Sequence, residues 1–202
     1  HPADICKKTA VTNFGSGVTQ TLEQGSGEAY GAREFQQEFG LSGAQMARLE
    51  CYASLLVKWQ LKINLVSKNT LPFIWWRHML DSAQLLGHMP KKTGPWLDIG
   101  SGAGLPGLVL AMLQSEDSDW PVHLIESDQR KAVFLQEAVR ITHACAHVHT
   151  GRIENLTPDM FGGKAGLITA RAVAPLHRIL DWSVTVTSPS TVFLLLKGQD
   201  ID

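Results

Sequence analysis

Asp98 stands two residues ahead of a glycine-rich run, Gly100-Ser101-Gly102-Ala103-Gly104-Leu105-Pro106-Gly107. Glycines let a chain turn sharply and let backbone N–H groups approach a ligand where the next helix starts. Residues 102–107 satisfy GxGxxG. By itself that is a weak signal for a dinucleotide. Two acids change its meaning. A carboxylate at Asp98, closing a short apolar strand, repels a pyrophosphate but suits a cation such as an ammonium or sulfonium group. Glu126, at the end of the next apolar run, can accept hydrogen bonds from both ribose hydroxyls of an adenosine. Gly151-Arg152-Ile153-Glu154 follows the third such run. There Glu154 can meet the exocyclic amine of an adenine, or it is simply part of a solvated turn.

A cation joined to an adenosine describes S-adenosylmethionine. D-x-G-x-G-x-G with an acid at the next strand end is the usual class I methyltransferase pattern, and it ranks above a nicotinamide or flavin site and above a ligand-free packing loop. The acceptor side follows from Ala170-Arg171-Ala172-Val173-Ala174-Pro175-Leu176. Enzymes that methylate adenine N6 carry an acid or Asn before Pro-Pro-aromatic at this place, and cytosine-C5 enzymes carry Pro-Cys. Neither is present, so both targets are disfavoured. Arg171 suits an acceptor rich in lone pairs, such as a guanine Hoogsteen edge or a phosphate. The alternative is a structural arginine paired with Glu154 or Asp98.

Upstream, residues 58–92 hold six basic residues against Asp81 alone, a local excess of +5 in a chain of net charge -1. Trp59, Phe73, Trp75 and Trp76 are interleaved with them. Basic residues track phosphates and exposed aromatics stack bases, so this segment is a candidate RNA-binding surface with Lys62, Asn64, Lys68, Arg77, His78 and Lys91 as its contacts. The competing reading is a helical lid with its aromatics packed inward. Arg77 and Asp81, four apart on one predicted helix, also suit a simple ion pair.

These groups need a scaffold that gathers them. Short apolar runs recur at Trp96–Ile99, Val122–Ile125, Ala146–His149, Leu167–Ala170 and Val192–Leu196, with starts about 25 residues apart. That is the βαβ repeat, so the spacing predicts an α/β fold, doubly wound around a mostly parallel sheet and Rossmann-like. An N-terminal helical extension precedes it. Ser42 is placed to cap a helix running to about Ile63, with Met46, Leu49, Tyr52, Ala53, Leu56, Trp59 and Ile63 on its apolar face. A second helix is predicted from Thr70, with Pro72 in its first turn, to near Gly87. The expected division is a flexible leader over 1–31, the helical extension over 32–92 and the catalytic domain over 93–202.

Composition closes off other classes. The chain has 202 residues, 44% apolar and 18% charged, enough for a sizeable core and too balanced for a histone-like protein. Three scattered cysteines without CxxC give neither a disulfide framework nor a zinc knuckle, and suit a reducing cytosol. His143, His147 and His149 straddle a helix-to-strand junction, so no metal is expected there. The longest uncharged run, 99–115, carries four glycines and a proline, and no membrane span or secretory signal is expected. The first residue is His1, so the N-terminus is read as a fragment or a processed end.

Taken together, Lys62-Ile63-Asn64-Leu65, Arg77-His78-Met79-Leu80-Asp81-Ser82, Leu97 to Gly107, Gly151 to Glu154, Arg171 to Leu176 and Leu196-Lys197-Gly198 resemble one family, the 16S rRNA guanine-N7 methyltransferases called RsmG or GidB. The resemblance spans about residues 44–198, and its arginine-histidine and Arg-Ala-Val-Ala-Pro-Leu runs are its specific parts. It departs at Val66, where the family usually has Thr, and at Ala170, where Ser is common. The family also continues past this chain's end with further strands, so a C-terminal truncation is expected. What the resemblance implies is methyl transfer from S-adenosylmethionine to N7 of a guanine in the small ribosomal subunit; a cytoplasmic monomer is expected. Its cofactor pocket would be lined by Gly100, Leu105, Ile153, Glu154 and Arg171, and the glycine-loop pattern adds Asp98, Gly102, Gly104 and Glu126 as cofactor-binding candidates. No acid or base is assigned. Arg171, Arg77, His78 and Lys197 are positioning candidates. Two rivals stay open: another class I RNA methyltransferase, and an RNA-binding module without catalysis.

Overall fold

The computed structural model describes residues 30–114 and 118–196. The leader before Tyr30 and the candidate Lys197 lie outside the described residues.

Five strands form one sheet: β1 (Trp96–Ile99), β2 (Val122–Glu126), β3 (Ala146–Thr150), β4 (Leu167–Arg171) and β5 (Val192–Leu196). Their order is β3-β2-β1-β4-β5, and every pairing is parallel. The spacing predicted each strand to within one residue. Central strands of a parallel sheet are covered on both faces, so they read as near-continuous apolar runs. The alternation of side chains splits them between two cores. Trp96, Val122, Leu124 and Leu167 face a core shared with α4 (Gly107–Leu113) and α5 (Gln129–Thr142). Leu97, Ile99, Ile125 and Ile168 face the other, with Ile179 of α6 (Leu176–Ser183).

The N-terminal helices, α1 (Ala32–Phe39) and α2 (Gly43–Gln60), pack into the first of these cores through Phe35, Leu49, Tyr52 and Leu56. Ser42 caps α2 as predicted. Its hydroxyl accepts from the Gln45 N–H at 3.1 Å, and the Gln45 side chain accepts from the Ser42 N–H at 3.1 Å. The helix ends at Gln60, short of the predicted Ile63. The cause is the buried Gln60 amide. Its oxygen accepts from the N–H groups of Leu65 (2.9 Å) and Val66 (3.0 Å), and its nitrogen donates to the Val66 carbonyl (2.9 Å). A side-chain amide that binds downstream backbone groups winds the chain into a loop instead of another helical turn.

The single helix predicted over Thr70–Gly87 is four short pieces. A 3-10 helix covers Lys68–Phe73, a π-helix Trp75–Leu80, α3 Asp81–Ala83, and a second 3-10 helix Gln84–His88. Pro72 lacks an amide hydrogen and sits inside the first piece. The wider π turn then takes Arg77 and Asp81 out of i,i+4 alignment, and they make no ion pair. The three tryptophans pack inward. Trp59 meets Phe134 with centroids 5.7 Å apart, Trp75 meets Phe35 at 5.5 Å, and Trp76 meets Tyr30 at 5.4 Å. Among the described residues no helix is long and apolar enough to cross a membrane.

Candidate active site

The strand order reverses between β1 and β4, and in an open parallel sheet the ligand crevice lies outside the carboxyl ends of the strands at such a point. The glycine run leaves β1 there. Gly100, Gly102 and Gly104 have φ of 63°, 55° and 89°, a region closed to most side chains. The turn is held from three sides. The Ser101 N–H donates to the Ile125 carbonyl (3.1 Å), the Gly102 N–H donates to Glu126 Oε2 (2.8 Å), and the Tyr52 hydroxyl donates to the Ala103 carbonyl (2.6 Å). Tyr52 is fully buried on α2, so the helical extension itself pins the loop.

Asp98 is wholly buried beneath that turn. Oδ1 accepts from the Thr169 hydroxyl (2.6 Å) and from the Gly107 N–H (3.2 Å), and the Thr169 oxygen accepts from Trp96 Nε1 (3.1 Å). Oδ2 is buried with no hydrogen-bond partner. Burial pushes the Asp98 carboxyl up to about 6, against Thr169 and Arg171, which favour its charged form. A Cβ on Gly107 would stand 2.6 Å from Asp98 Cβ and Cγ, so this close approach requires glycine.

Glu126 closes β2 with its carboxylate oriented by two backbone donors, Gly102 N–H on Oε2 and Asp128 N–H on Oε1 at 2.8 Å. Ile153 is buried and Glu154 exposed in a short 3-10 turn after β3. Leu105 is only 3% exposed and belongs to the core.

Arg171 ends β4 and pairs with neither Asp98 nor Glu154. Its Nη1 instead donates to His78 Nδ1 (3.0 Å) and reaches the Arg77 carbonyl at 3.4 Å. His78 Nε2 lies 2.9 Å from the Thr70 hydroxyl, which donates to the Ser67 carbonyl at 2.8 Å. A guanidinium has no acceptor, so Nδ1 must accept and Nε2 must carry the proton. Burial, then Arg171 and Arg77, hold the His78 imidazole down at about 4, so it is neutral. Next to Arg171, Ala172 has φ of 50°, and Val173 lies over Gly100.

The RNA candidates separate. Lys62, Asn64 and Lys68 line one cleft. Arg77 is exposed above the Arg171 site while His78 is buried within it. Lys91 is elsewhere: its neighbour Lys92 pairs with Asp119 at 2.9 Å, ahead of the first residues of β1 and β2, at the other end of the sheet. His143 caps α5 at φ 51°, while His147 and His149 on β3 meet His123 of β2. Among the described residues no group of three His, Cys, Asp or Glu side chains could hold a metal ion.

The sequence pattern marked the strand ends and the glycines. It missed Tyr52, Thr70 and Thr169, whose partners are 51, 8 and 71 residues away in the chain. No local spacing encodes such contacts.

The residues fit S-adenosylmethionine. The unpartnered Asp98 Oδ2 is a buried acceptor for a cationic group, the positive-φ glycines leave the backbone bare, and Glu126 keeps lone pairs for hydroxyl donors. The family model described as rRNA small subunit methyltransferase G, GidB, matches residues 45–202. The ribosomal RNA small subunit methyltransferase G of Parvibaculum lavamentivorans is 45% identical over 185 residues, which cover 91% of this chain and 80% of that one. The protein of the same name from Rhodospirillum rubrum is 46% identical over 168 residues, covering 83% of this chain and 80% of its own. The matched stretch begins in α2 and runs through all five strands, so the chain belongs to the rRNA small subunit methyltransferase G family.

Proposed function

We propose that this protein methylates N7 of a guanine in 16S rRNA of the small ribosomal subunit, with S-adenosylmethionine as methyl donor, acting as a cytoplasmic monomer. The observation that carries the N7 assignment is the state of the acceptor side. His78, the imidazole bonded to Arg171, is neutral with Nδ1 already accepting and Nε2 already donating. It has no free lone pair with which to take a proton. Guanine N7 needs none taken, because its lone pair is free at neutral pH.

When bound, the cofactor supplies an electrophilic methyl group on a sulfonium. The chain supplies position and electrostatics. Asp98 Oδ2 and the backbone of Gly100, Gly102 and Gly104 would hold the methionine end, and Glu126 the ribose. Ile153 would offer an apolar face to the adenine, and Glu154 would stand at its rim. Arg171, fixed by His78 and the Arg77 carbonyl, keeps N–H groups for the guanine O6 or a flanking phosphate. Asp81, half-buried and within electrostatic range of Arg171, offsets charge that develops on the purine. Lys62, Asn64, Lys68 and Arg77 would contact the RNA.

The test is methyl transfer from labelled S-adenosylmethionine to small ribosomal subunits and to deproteinised 16S rRNA, read by mass spectrometry of nucleosides. 7-Methylguanosine at one position is expected. Cofactor binding without transfer would leave an RNA-binding module, and a different methylated nucleoside would overturn the N7 assignment.

A further inference from the structure

A cleft of about 390 Å³ opens between the loop after α2 and the start of α5. Lys62, Asn64 and Lys68 stand on the loop side, and Asp128, Arg130 and Lys131 on the helix side. Four cations thus face one carboxylate. That carboxylate is already engaged: Asp128 Oδ1 accepts from the N–H groups of Arg130 (2.8 Å) and Lys131 (3.3 Å), and Oδ2 lies 3.7 Å from the Arg130 guanidinium. Among the described residues Lys62, Lys68 and Lys131 make no ion pair. Repulsion between uncompensated cations is relieved by an anion between them.

Both walls are fixed before any ligand arrives. The Gln60 amide ties down Leu65 and Val66 on one side, and the Asp128 cap fixes the first turn of a 14-residue helix on the other. That helix start adds its own partial positive charge. Among the described residues no aromatic ring lines the cleft. Its contacts are therefore to a sugar–phosphate chain and not to stacked bases, which positions a strand without reading its sequence. The cleft also adjoins the cofactor site, since the Asp128 N–H donates to Glu126 Oε1.

We infer that this cleft binds the phosphodiester backbone of the RNA strand that carries the target guanine, with Arg130 and Lys131 of the sheet domain as one wall and Lys62 and Lys68 of the helical extension as the other. The inference rests on the proposed action on RNA. It adds two cations from α5 that lie outside the basic lead-in, and it explains how a strand is held beside the crevice at the ends of β1 and β4.

The test is the salt dependence of binding of a 16S rRNA fragment to the full chain, followed by fluorescence anisotropy. Arg130→Gln with Lys131→Gln should lower RNA affinity about fivefold or more. It should reduce the slope of log K against log salt by about 1.4, roughly 0.7 for each phosphate of a single strand that is no longer neutralised. Lys62→Gln with Lys68→Gln should do the same from the other wall. Lys92→Gln with Lys164→Gln, at the far end of the sheet, removes equal charge and should leave the slope alone. S-adenosylmethionine affinity, read by calorimetry, should stay within about twofold in all three, which also shows that they fold. Parental slope and affinity in both cleft variants would overturn the inference, as would an equal loss in the far-end control. Failure of the functional reading looks different: the parent would bind RNA through the cleft, with the slopes just given, yet transfer no methyl group.

Discussion

The loop over residues 100–107 and the lead-in over residues 58–92 both border the crevice, but they are built in opposite ways. The loop is determined by backbone conformation: positive φ at three glycines and a side-chain-free contact at Gly107. The lead-in is determined by side chains. Gln60 unwinds the end of α2, and His78 joins Thr70 to Arg171, which lies 93 residues beyond the histidine in the sequence. The first kind of order is local and sits in the residue types. The second depends on which distant groups the fold delivers, and it divided one predicted helix into four pieces.

Substitutions can break this contrast or sharpen it. The largest effect is expected at Gly107. Gly107→Ala sets a methyl group 2.6 Å from Asp98 inside a close-packed core, and should cost about 3 kcal/mol or more of stability in denaturant unfolding. A loss under about 1 kcal/mol would mean that the loop relaxes and is not governed by its glycines.

Asp98→Asn should weaken S-adenosylmethionine binding by about 1.5 kcal/mol or more in calorimetry, because a charged hydrogen bond is removed. The pH dependence carries a second signature. The Asp98 carboxyl is raised from 3.8 to about 6 by burial, and a cationic ligand binds its ionised form. Affinity should therefore rise between pH 5 and 7 and level off above. In the free protein the sign is opposite. A carboxyl raised on folding binds protons better in the native state, so its contribution to stability falls as pH climbs from about 4 to 6. Asn at 98 should flatten both trends, and an unchanged pH profile of affinity would place the ligand's charge elsewhere.

His78→Ala tests the lead-in. Arg171 would lose its acceptor while the contacts of Asp98, the glycine turn and Glu126 remained, so kcat should fall about tenfold, near 1.4 kcal/mol, with cofactor affinity within about twofold. Because His78 is held at about 4, the parental rate should show no inflection from it between pH 5.5 and 8. An inflection near 6.5 that vanishes in the variant would show a titrating imidazole instead.

The smallest effect is expected at Ser42→Ala. It removes one N-cap oxygen from α2 and should cost about 1 kcal/mol, seen as a modest drop in Tm, with the methyl-transfer rate unchanged.

The five strands, the cap at Ser42 and the glycine turn were all legible in the sequence. Each follows from rules that act within a few residues: apolar runs covered on both faces, a serine hydroxyl three residues from its donor, and φ values that glycine adopts freely. The placement of Asp98, Glu126 and Arg171 near strand ends was legible for the same reason, since a parallel sheet brings its carboxyl ends to one edge. What Arg171 bonds was not legible. Charge alone offered Asp98 or Glu154, yet it lies against a neutral histidine, because burial makes that imidazole a lone-pair acceptor. The basic residues follow the same rule. Composition put Lys62, Lys68 and Lys91 in one group, and the tertiary structure separated Lys91 and brought Arg130 and Lys131 to the other two. Local sterics and hydrophobic periodicity are written in neighbouring residues. Electrostatic partners and desolvation exist only once the chain has closed on itself.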